Sequence, residues 1–244
     1  MDRWAATLNL RTQRVRDVGM FQRIHSLIAP LLSRAFWRSK HSQWQAQRFD
    51  RRWQTDTFVQ MRVAAMHGVP ADLAKHAVHY EGSAIPKVQR ALQVVQRQLG
   101  SALTRYSFVD FGSGKGLVVM LASRYPFHSV HGVEMAPDLH AIAESNIRKF
   151  QARNPDCPPL NLSCGDALAF ELPRQDLVAY LYNPFDAVLM QRCVARLVDA
   201  AGQGRQLIVV YVNPLHREIF AGDGRFQLLF DDATLCVFRF GHGS

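Results

Sequence analysis

Hydrophobic positions between residues 85 and 212 alternate between short apolar runs and longer amphipathic segments. The runs are rich in branched and aromatic residues, which is typical of strands covered on both sheet faces. The segments between them repeat apolar residues at helical spacing. Strands are therefore predicted at Ser107–Phe111, Val130–Met135, Leu160–Cys164, Leu177–Leu181 and Leu207–Val212. Helices are predicted at Ile85–Leu99, Lys115–Tyr125, Pro137–Arg153 and Ala187–Ala201.

The end of the chain departs from this alternation. Two further strands are predicted at Phe226–Phe230 and Thr234–Phe240, with only residues 231–233 between them. Because so short a connection cannot cross over to a parallel strand, the two must form an antiparallel hairpin. The whole pattern predicts an α/β fold, a doubly wound and mostly parallel seven-stranded sheet with an antiparallel C-terminal hairpin strand.

The first part of the chain is predicted to be a basic helical extension (residues 1–79) ahead of the main domain (residues 80–244). Residues 1–60 carry eleven Arg and Lys against four Asp, so most of the net charge of +9 lies there. An apolar stripe runs along this helix, which Pro30 is expected to bend. The stripe consists of Met20, Ile24, Leu27, Ile28, Leu31, Leu32 and Ala35.

A basic amphipathic helix has three uses, and the sequence leaves all of them open. It can cap the domain core, lie on an anionic membrane surface, or bind RNA or another acidic partner. We expect the extension to cover the reacting end of the bound ligand and to shape the site of a second substrate.

Several protein classes are disfavoured by the remaining composition. No apolar run is long enough to span a bilayer, and no secretory leader stands at the N-terminus, so a cytoplasmic protein is expected. The four cysteines lack the spacing of a zinc site and are expected to be free thiols. No metal site is predicted, because the histidines near the glycine loop also lack ligand spacing. The residues concerned are Cys157, Cys164, Cys193, Cys236, His128, His131 and His140.

A glycine loop follows the first predicted strand, in the stretch Asp110-Phe111-Gly112-Ser113-Gly114-Lys115-Gly116. A glycine turn between a strand and a helix is typical of a nucleotide site. The spacing matches neither the phosphate-binding P-loop nor the dinucleotide fingerprint. Asp110 would repel a pyrophosphate but suits an amino group. Lys115 is expected to begin the next helix, with its side chain free to reach solvent.

Polar residues end the next three strands as well. Glu134 can accept two ribose hydroxyls, as acidic residues do in other doubly wound nucleotide folds. Asp166, in Gly165-Asp166-Ala167, can accept the exocyclic amine of adenine, although a simple turn is the alternative. Residues 182–185, Tyr-Asn-Pro-Phe, place an amide oxygen and backbone carbonyls where a reacting atom would sit. The alternative for them is an ordinary strand-to-helix loop.

Together these motifs resemble the class I S-adenosylmethionine-dependent methyltransferases, whose seven-stranded sheet has an inserted antiparallel strand. With Phe49-Asp50-Arg51-Arg52 and Tyr80-Glu81-Gly82, they look more narrowly like a bacterial group of such enzymes. The resemblance implies S-adenosylmethionine as cofactor, with the ribose on Glu134 and the adenine on Asp166. The methionine part would bind Asp110 and the loop glycines, under Tyr80. The implied cofactor-binding set is Tyr80, Asp110, Gly112, Ser113, Gly114, Gly116, Glu134, Met135, Asp166, Ala167 and Asn183.

The resemblance also implies the reaction. The implied catalytic residues are Tyr182, Asn183, Pro184 and Phe185, which would orient a neutral amine in line with the methyl group. Transfer to nitrogen is therefore expected, although amine methyltransferases often carry two prolines in this motif and this chain has one. The acceptor stays open between a protein lysine, a small metabolite or sugar precursor, and RNA. Two other functions also stay open, a non-enzymatic module that binds RNA or an anionic surface, and a nicotinamide-dependent oxidoreductase.

Overall fold

The computed structural model describes residues 34–58, 83–202 and 204–241. Tyr80 and the apolar stripe before residue 34 lie outside these residues. The chain separates into two compact units, Met1–Gln45 and Ala46–Ser244. The predicted domain boundary between residues 79 and 80 also lies outside the described residues and stays a prediction. In the described part of the chain, no helix has the length and apolar character needed to cross a membrane.

Six α-helices and seven strands make up the described residues, together with a short 3-10 helix at Gly100–Arg105. The helices are α1 (Arg34–Trp53), α2 (Ile85–Leu99), α3 (Leu117–Ala122), α4 (Pro137–Gln151), α5 (Ala187–Ala201) and α6 (Glu218–Ala221). The strands are β1 (Tyr106–Phe111), β2 (Ser129–Glu134), β3 (Leu160–Cys164), β4 (Asp176–Tyr182), β5 (Leu207–Val212), β6 (Phe226–Asp232) and β7 (Leu235–Phe240).

The seven strands form one sheet in the order β3-β2-β1-β4-β5-β7-β6. Strands β1 to β5 are parallel to one another, and β7 pairs antiparallel with both β5 and β6. The predicted fold class is therefore confirmed, including the antiparallel hairpin. In this order the chain runs outward from β1 to β3 and then returns to β4, so ligands are expected at the carboxyl edge between β1 and β4.

Each face of the sheet is covered by a separate apolar core. One core combines inward side chains of the strands with α2, α3 and α4, and Phe108 and Tyr180 lie within it. The other core joins the opposite strand faces to α5 and α6, and Phe111 and Tyr211 lie there. Because side chains alternate along a strand, neighbouring residues at the carboxyl edge point to opposite faces. This alternation decides which residues can share a site.

Helix α3 begins two residues later than predicted. Gly116 adopts a left-handed conformation (φ 84°) and stands just before Leu117, where the helix begins. Lys115 is therefore part of the loop, and its side chain is 2% exposed. The expectation that Lys115 begins the helix and reaches solvent is wrong, because the left-handed turn directs this residue into the protein instead.

Within the second unit, the end of α1 is fixed to α4. The Trp53 ring lies 4.8 Å from the ring of Phe150, and Phe49 stacks on the same ring at 6.5 Å. The carboxylate of Asp50 then accepts hydrogen bonds from the backbone N–H groups of Thr57 and Phe58. The motif Phe49-Asp50 therefore has a structural reason. Its aromatic residue packs on the domain, and its acid turns the following segment.

Candidate functional site

The glycine loop is shaped by three left-handed residues, Gly112 (φ 84°), Gly114 (φ 52°) and Gly116 (φ 84°). Side chains rarely tolerate such angles, which explains why glycine stands at each position. The backbone N–H groups of Gly112 and Ser113 both donate to the Val133 carbonyl at 2.9 Å. Strand β2 thus anchors the glycine loop through the Val133 carbonyl.

Four N–H groups of this loop already form hydrogen bonds inside the protein. In addition to the two bonds to Val133, the Gly116 N–H donates to the Ser113 carbonyl, and the Gly114 N–H donates to Glu134. A loop that cradles phosphate instead presents free N–H groups to the ligand. The geometry therefore disfavours a pyrophosphate at this loop, in agreement with the sequence prediction.

Asp110 is buried at the end of β1, with 2% of its surface exposed. Its Oδ2 atom is buried and has no hydrogen-bond partner among the described residues. Burial, and secondly the nearby Glu134 carboxylate, raise the pKa of Asp110 well above its ordinary value. A buried carboxylate oxygen without a hydrogen-bond partner is costly, and a cationic ligand would relieve that cost. Asp110 thus has the properties expected of a group that binds an ammonium.

Glu134 supports the glycine loop in addition to its predicted role. Its Oε2 accepts the Gly114 N–H at 2.8 Å, and its Oε1 accepts the Ala136 N–H at 2.8 Å. Burial raises the pKa of Glu134, and these backbone donors partly offset that rise. Each carboxylate oxygen has a further lone pair, so ribose hydroxyls could still be accepted. The ribose role itself stays a prediction.

Sequence reasoning missed a polar cluster behind the loop. The Lys115 ammonium lies 3.1 Å from both carboxylate oxygens of Asp56. The Asn146 side chain, which is 1% exposed, forms hydrogen bonds with the backbone of the same two residues. Its Nδ2 donates to the carbonyls of Asp56 and Lys115, and its Oδ1 accepts the Asp56 N–H. The sequence shows that residues 56 and 115 carry opposite charges, but it does not show that they lie close together.

Asp166 lies just after β3 and closes a local turn. Its Oδ1 accepts the backbone N–H of Leu168 at 2.8 Å. The preceding Gly165 donates its N–H to the Glu134 carbonyl, which ties this turn to the end of β2. The turn and a contact with a ligand are compatible interpretations of Asp166. Its Oδ1 closes the turn, and its other carboxylate oxygen could accept a hydrogen bond from the ligand. Contact with adenine stays a prediction for Asp166 and Ala167, and so does contact with the cofactor for Met135.

Asn183 follows β4 in a left-handed conformation (φ 42°) and is buried. Its Oδ1 accepts a hydrogen bond from the Tyr211 hydroxyl at 3.1 Å. The next residue, Pro184, lies against the glycine loop, since a Cβ placed on Gly112 would stand 3.6 Å from the Pro184 Cβ. Tyr182 contacts α2, where the Lys87 ammonium lies 6.0 Å from its ring centre. Orientation of an acceptor by residues 182–185 stays a prediction.

Most of the predicted site residues share one edge of the sheet. The register pairs Phe111 with both Val133 and Leu181, and it pairs Glu134 with Cys164. The carboxyl ends of β3, β2, β1 and β4 therefore lie side by side, and the candidate residues end or follow them. Tyr80 is outside the described residues. No group of residues that could hold a metal ion occurs in the described part of the chain.

The extension is only partly described. Residues 46–58 contact α4 and the glycine loop through Phe150, Asn146 and Lys115. These contacts lie behind the loop. The expectation that the extension covers the reacting end of the ligand stays a prediction, since much of it falls in residues 1–33 and 59–82.

No protein-family model and no curated protein sequence matches the chain. Solved structures of methyltransferases are similar in fold. A ribosomal-protein methylase from Lactobacillus delbrueckii is 17% identical (TM-score 0.44), and the match covers 62% of this chain and 78% of that one. An RNA methyltransferase from Salinibacter ruber, in complex with S-adenosylhomocysteine, is 20% identical (TM-score 0.45), with 65% and 91% covered.

A magnesium protoporphyrin methyltransferase from Synechocystis with bound S-adenosylmethionine is 14% identical (TM-score 0.40), and 62% and 77% of the two chains are covered. At such identities and scores, these likenesses assign no substrate to this chain. The named substrates of the three proteins also differ in kind.

Proposed function

We propose that this protein is an S-adenosylmethionine-dependent methyltransferase that transfers the methyl group to nitrogen. The observation that carries the proposal is Asp110, a buried carboxylate with an unpartnered oxygen beside a glycine loop. The methionine end of S-adenosylmethionine carries an ammonium, which suits this group. The cofactor supplies an activated sulfonium methyl group, so the protein mainly binds and orients the two substrates.

The strand order favours the proposed methyltransferase over a nicotinamide-dependent oxidoreductase. The dinucleotide fold has the order 3-2-1-4-5-6, whereas here the antiparallel β7 lies between β5 and β6. The loop also offers few donors to a pyrophosphate, because four of its N–H groups are bonded within the protein. Both features agree with a nucleoside cofactor that lacks phosphate.

The methyl acceptor is proposed from charge. Helix α1 buries Phe49 and Trp53 and exposes Arg48, Arg51 and Arg52. Exposed arginines attract polyanions, so RNA is the acceptor that this surface favours. A protein lysine or a small metabolite is the alternative, and the experiment below separates them.

Calorimetric titration with S-adenosylhomocysteine tests the cofactor. We expect the wild-type protein to bind and Asp110→Asn to lose binding, whereas Asp156→Asn, at an exposed position on another loop, should bind as the wild type does. Absence of binding by the folded wild-type protein would exclude the proposal. A fluorescence change with a reduced nicotinamide cofactor would favour the oxidoreductase instead.

Transfer of a tritiated methyl group into cell lysate tests the reaction and the acceptor. The labelled product is divided into samples treated with ribonuclease, with protease or by filtration. Loss of acid-precipitable label after ribonuclease alone would support RNA. Loss after protease would overturn the RNA assignment and leave the methyltransferase intact, and label in the filtrate would indicate a small molecule.

A further inference from the structure

Strands β4 and β5 end in the same way. Tyr182 pairs with Val212 in the register, so the residues that follow them, Asn183 and Asn213, occupy equivalent positions on adjacent parallel strands. Both are left-handed, with φ of 42° and 52°, and a proline follows each of them. A second Asn-Pro turn therefore stands directly beside the turn that carries the predicted catalytic residues.

The hydroxyl of Tyr211 connects these two turns. It donates to Asn183 Oδ1 at 3.1 Å and accepts the backbone N–H of His216, just after the second turn, at 3.2 Å. Since the hydroxyl accepts from His216, its own proton is free for the Asn183 oxygen, which fixes the orientation of that carboxamide. The Tyr211 ring is fully buried and lies 5.7 Å from the ring of Phe220.

We propose that Tyr211 is a positioning residue for methyl transfer, which holds Asn183 through its hydroxyl and sets the spacing of the two Asn-Pro turns. The inference rests on the proposed function. A left-handed asparagine before a proline is an unfavourable backbone conformation and persists only where its surroundings fix it. The Tyr211 hydroxyl supplies that restraint at the edge where donor and acceptor must align.

This role differs from the cofactor binding predicted for Asp110 and the glycine loop, although Asn183 itself belongs to the predicted cofactor-binding set. Asp110 lies in β1 on the same strand face as Phe108, the glycine loop follows β1, and both lie toward the face covered by α2, α3 and α4. Tyr211 packs in the core on the opposite face. Loss of its hydroxyl should therefore affect the alignment of the reacting groups more than the affinity for the cofactor.

The test substitution is Tyr211→Phe, which keeps the ring and removes both hydrogen bonds. We expect the initial rate of tritiated methyl transfer into lysate to fall at least about 10-fold, since small displacements of reacting groups have large effects on rate. The dissociation constant for S-adenosylhomocysteine should change less than about 2-fold, because Asn183 alone among the predicted cofactor contacts loses a hydrogen bond, whereas Asp110, Glu134 and the glycine loop keep theirs. The matched control is Tyr106→Phe. Tyr106 is the first residue of β1, at the amino end of the strand and away from the candidate site, so both quantities should stay unchanged.

A double-mutant cycle with Asn183→Ala tests whether Tyr211 acts through Asn183. If it does, adding Tyr211→Phe to Asn183→Ala should slow transfer no further. A wild-type rate in Tyr211→Phe would overturn the inference and leave the proposed function standing. A joint loss of rate, cofactor affinity and thermal stability would also overturn it, because that result indicates a purely structural role. If the wild-type protein itself neither binds the cofactor nor transfers label, the proposed function fails, and this inference fails with it.

Discussion

The Lys115 ammonium donates to both carboxylate oxygens of Asp56 at 3.1 Å, so a residue of the glycine loop is fixed to the segment after α1. The lysine is buried, whereas the Asp56 side chain is 57% exposed. A lysine in a glycine loop is usually considered as a phosphate ligand. Here the same residue holds the loop in place from behind, and the N-terminal segment becomes part of the support of the site.

Removal of the Asp56 carboxylate should be more harmful than removal of the lysine charge. Asp56→Ala removes the carboxylate that both 3.1 Å bonds of this buried ammonium reach, and we expect a loss of about 1–3 kcal/mol in the free energy of unfolding. Lys115→Met should cost less, since an apolar chain of similar length fills the same space. Urea denaturation of both variants measures the difference. Equal losses would contradict this account.

Substitution of Asn146 should weaken both the fold and the site. Asn146→Ala removes three hydrogen bonds, which leaves the buried Lys115 carbonyl and the partly buried backbone of Asp56 without these partners, so a loss of about 2–4 kcal/mol is expected. Affinity for S-adenosylhomocysteine should fall as well, because the loop loses an anchor. The control is Asn154→Ala, which removes one hydrogen bond to the Phe150 carbonyl. It should leave the affinity unchanged, as measured by calorimetry.

Asp110→Asn should make the ligand-free protein more stable while it abolishes cofactor binding. Since the pKa of Asp110 is raised in the folded state, this group lowers the stability of the fold once the pH exceeds the unfolded pKa, and the cost grows until the pH passes the raised folded pKa. Asparagine removes that charge. A rise of roughly 2–4 °C in Tm is expected for each kcal/mol gained. A lower Tm at pH 7 would contradict this prediction, and thermal scans at low pH should show the difference shrink.

Cofactor affinity should fall in acid. An ammonium ligand needs Asp110 ionised, so below the raised pKa of this carboxyl the dissociation constant should increase up to about tenfold for each pH unit. Calorimetry with S-adenosylhomocysteine across this range measures the slope. Methylthioadenosine, which lacks the amino-acid part, is the control and should show a smaller slope. Equal slopes for the two ligands would argue against the pairing with Asp110.

Gly132→Ala should displace the glycine loop through its contact with Ser113. A Cβ at this position would stand 2.8 Å from Val119 Cγ2 and 2.9 Å from Leu162 Cδ2 and Ser113 Cβ. Overpacking of this kind costs about 1–3 kcal/mol, and the displaced Ser113 would move the glycine loop. The control is Gly224→Ala, where the added carbon meets open space. Urea denaturation and calorimetry should show losses for the first variant only.

Much of the fold could be read from patterns of residues that are near each other in the chain. Apolar runs, amphipathic periods and the short connection at residues 231–233 predicted all seven strands, because strands and turns depend on local alternation and turn chemistry. The positions of Asp110, Glu134, Asp166 and Asn183 at strand ends followed in the same way, since parallel strands present their carboxyl ends at one edge.

Contacts between distant parts of the chain could not be read in this way. The chain itself determined the sheet, its antiparallel hairpin and the residues offered at its edge, because these follow from short-range periodicity. Only the tertiary structure decided that Gly116 turns Lys115 inward to Asp56, that Asn146 joins them, and that Tyr211 reaches Asn183. Such pairings depend on the packing of helices on the sheet, and a single sequence carries no signal for them.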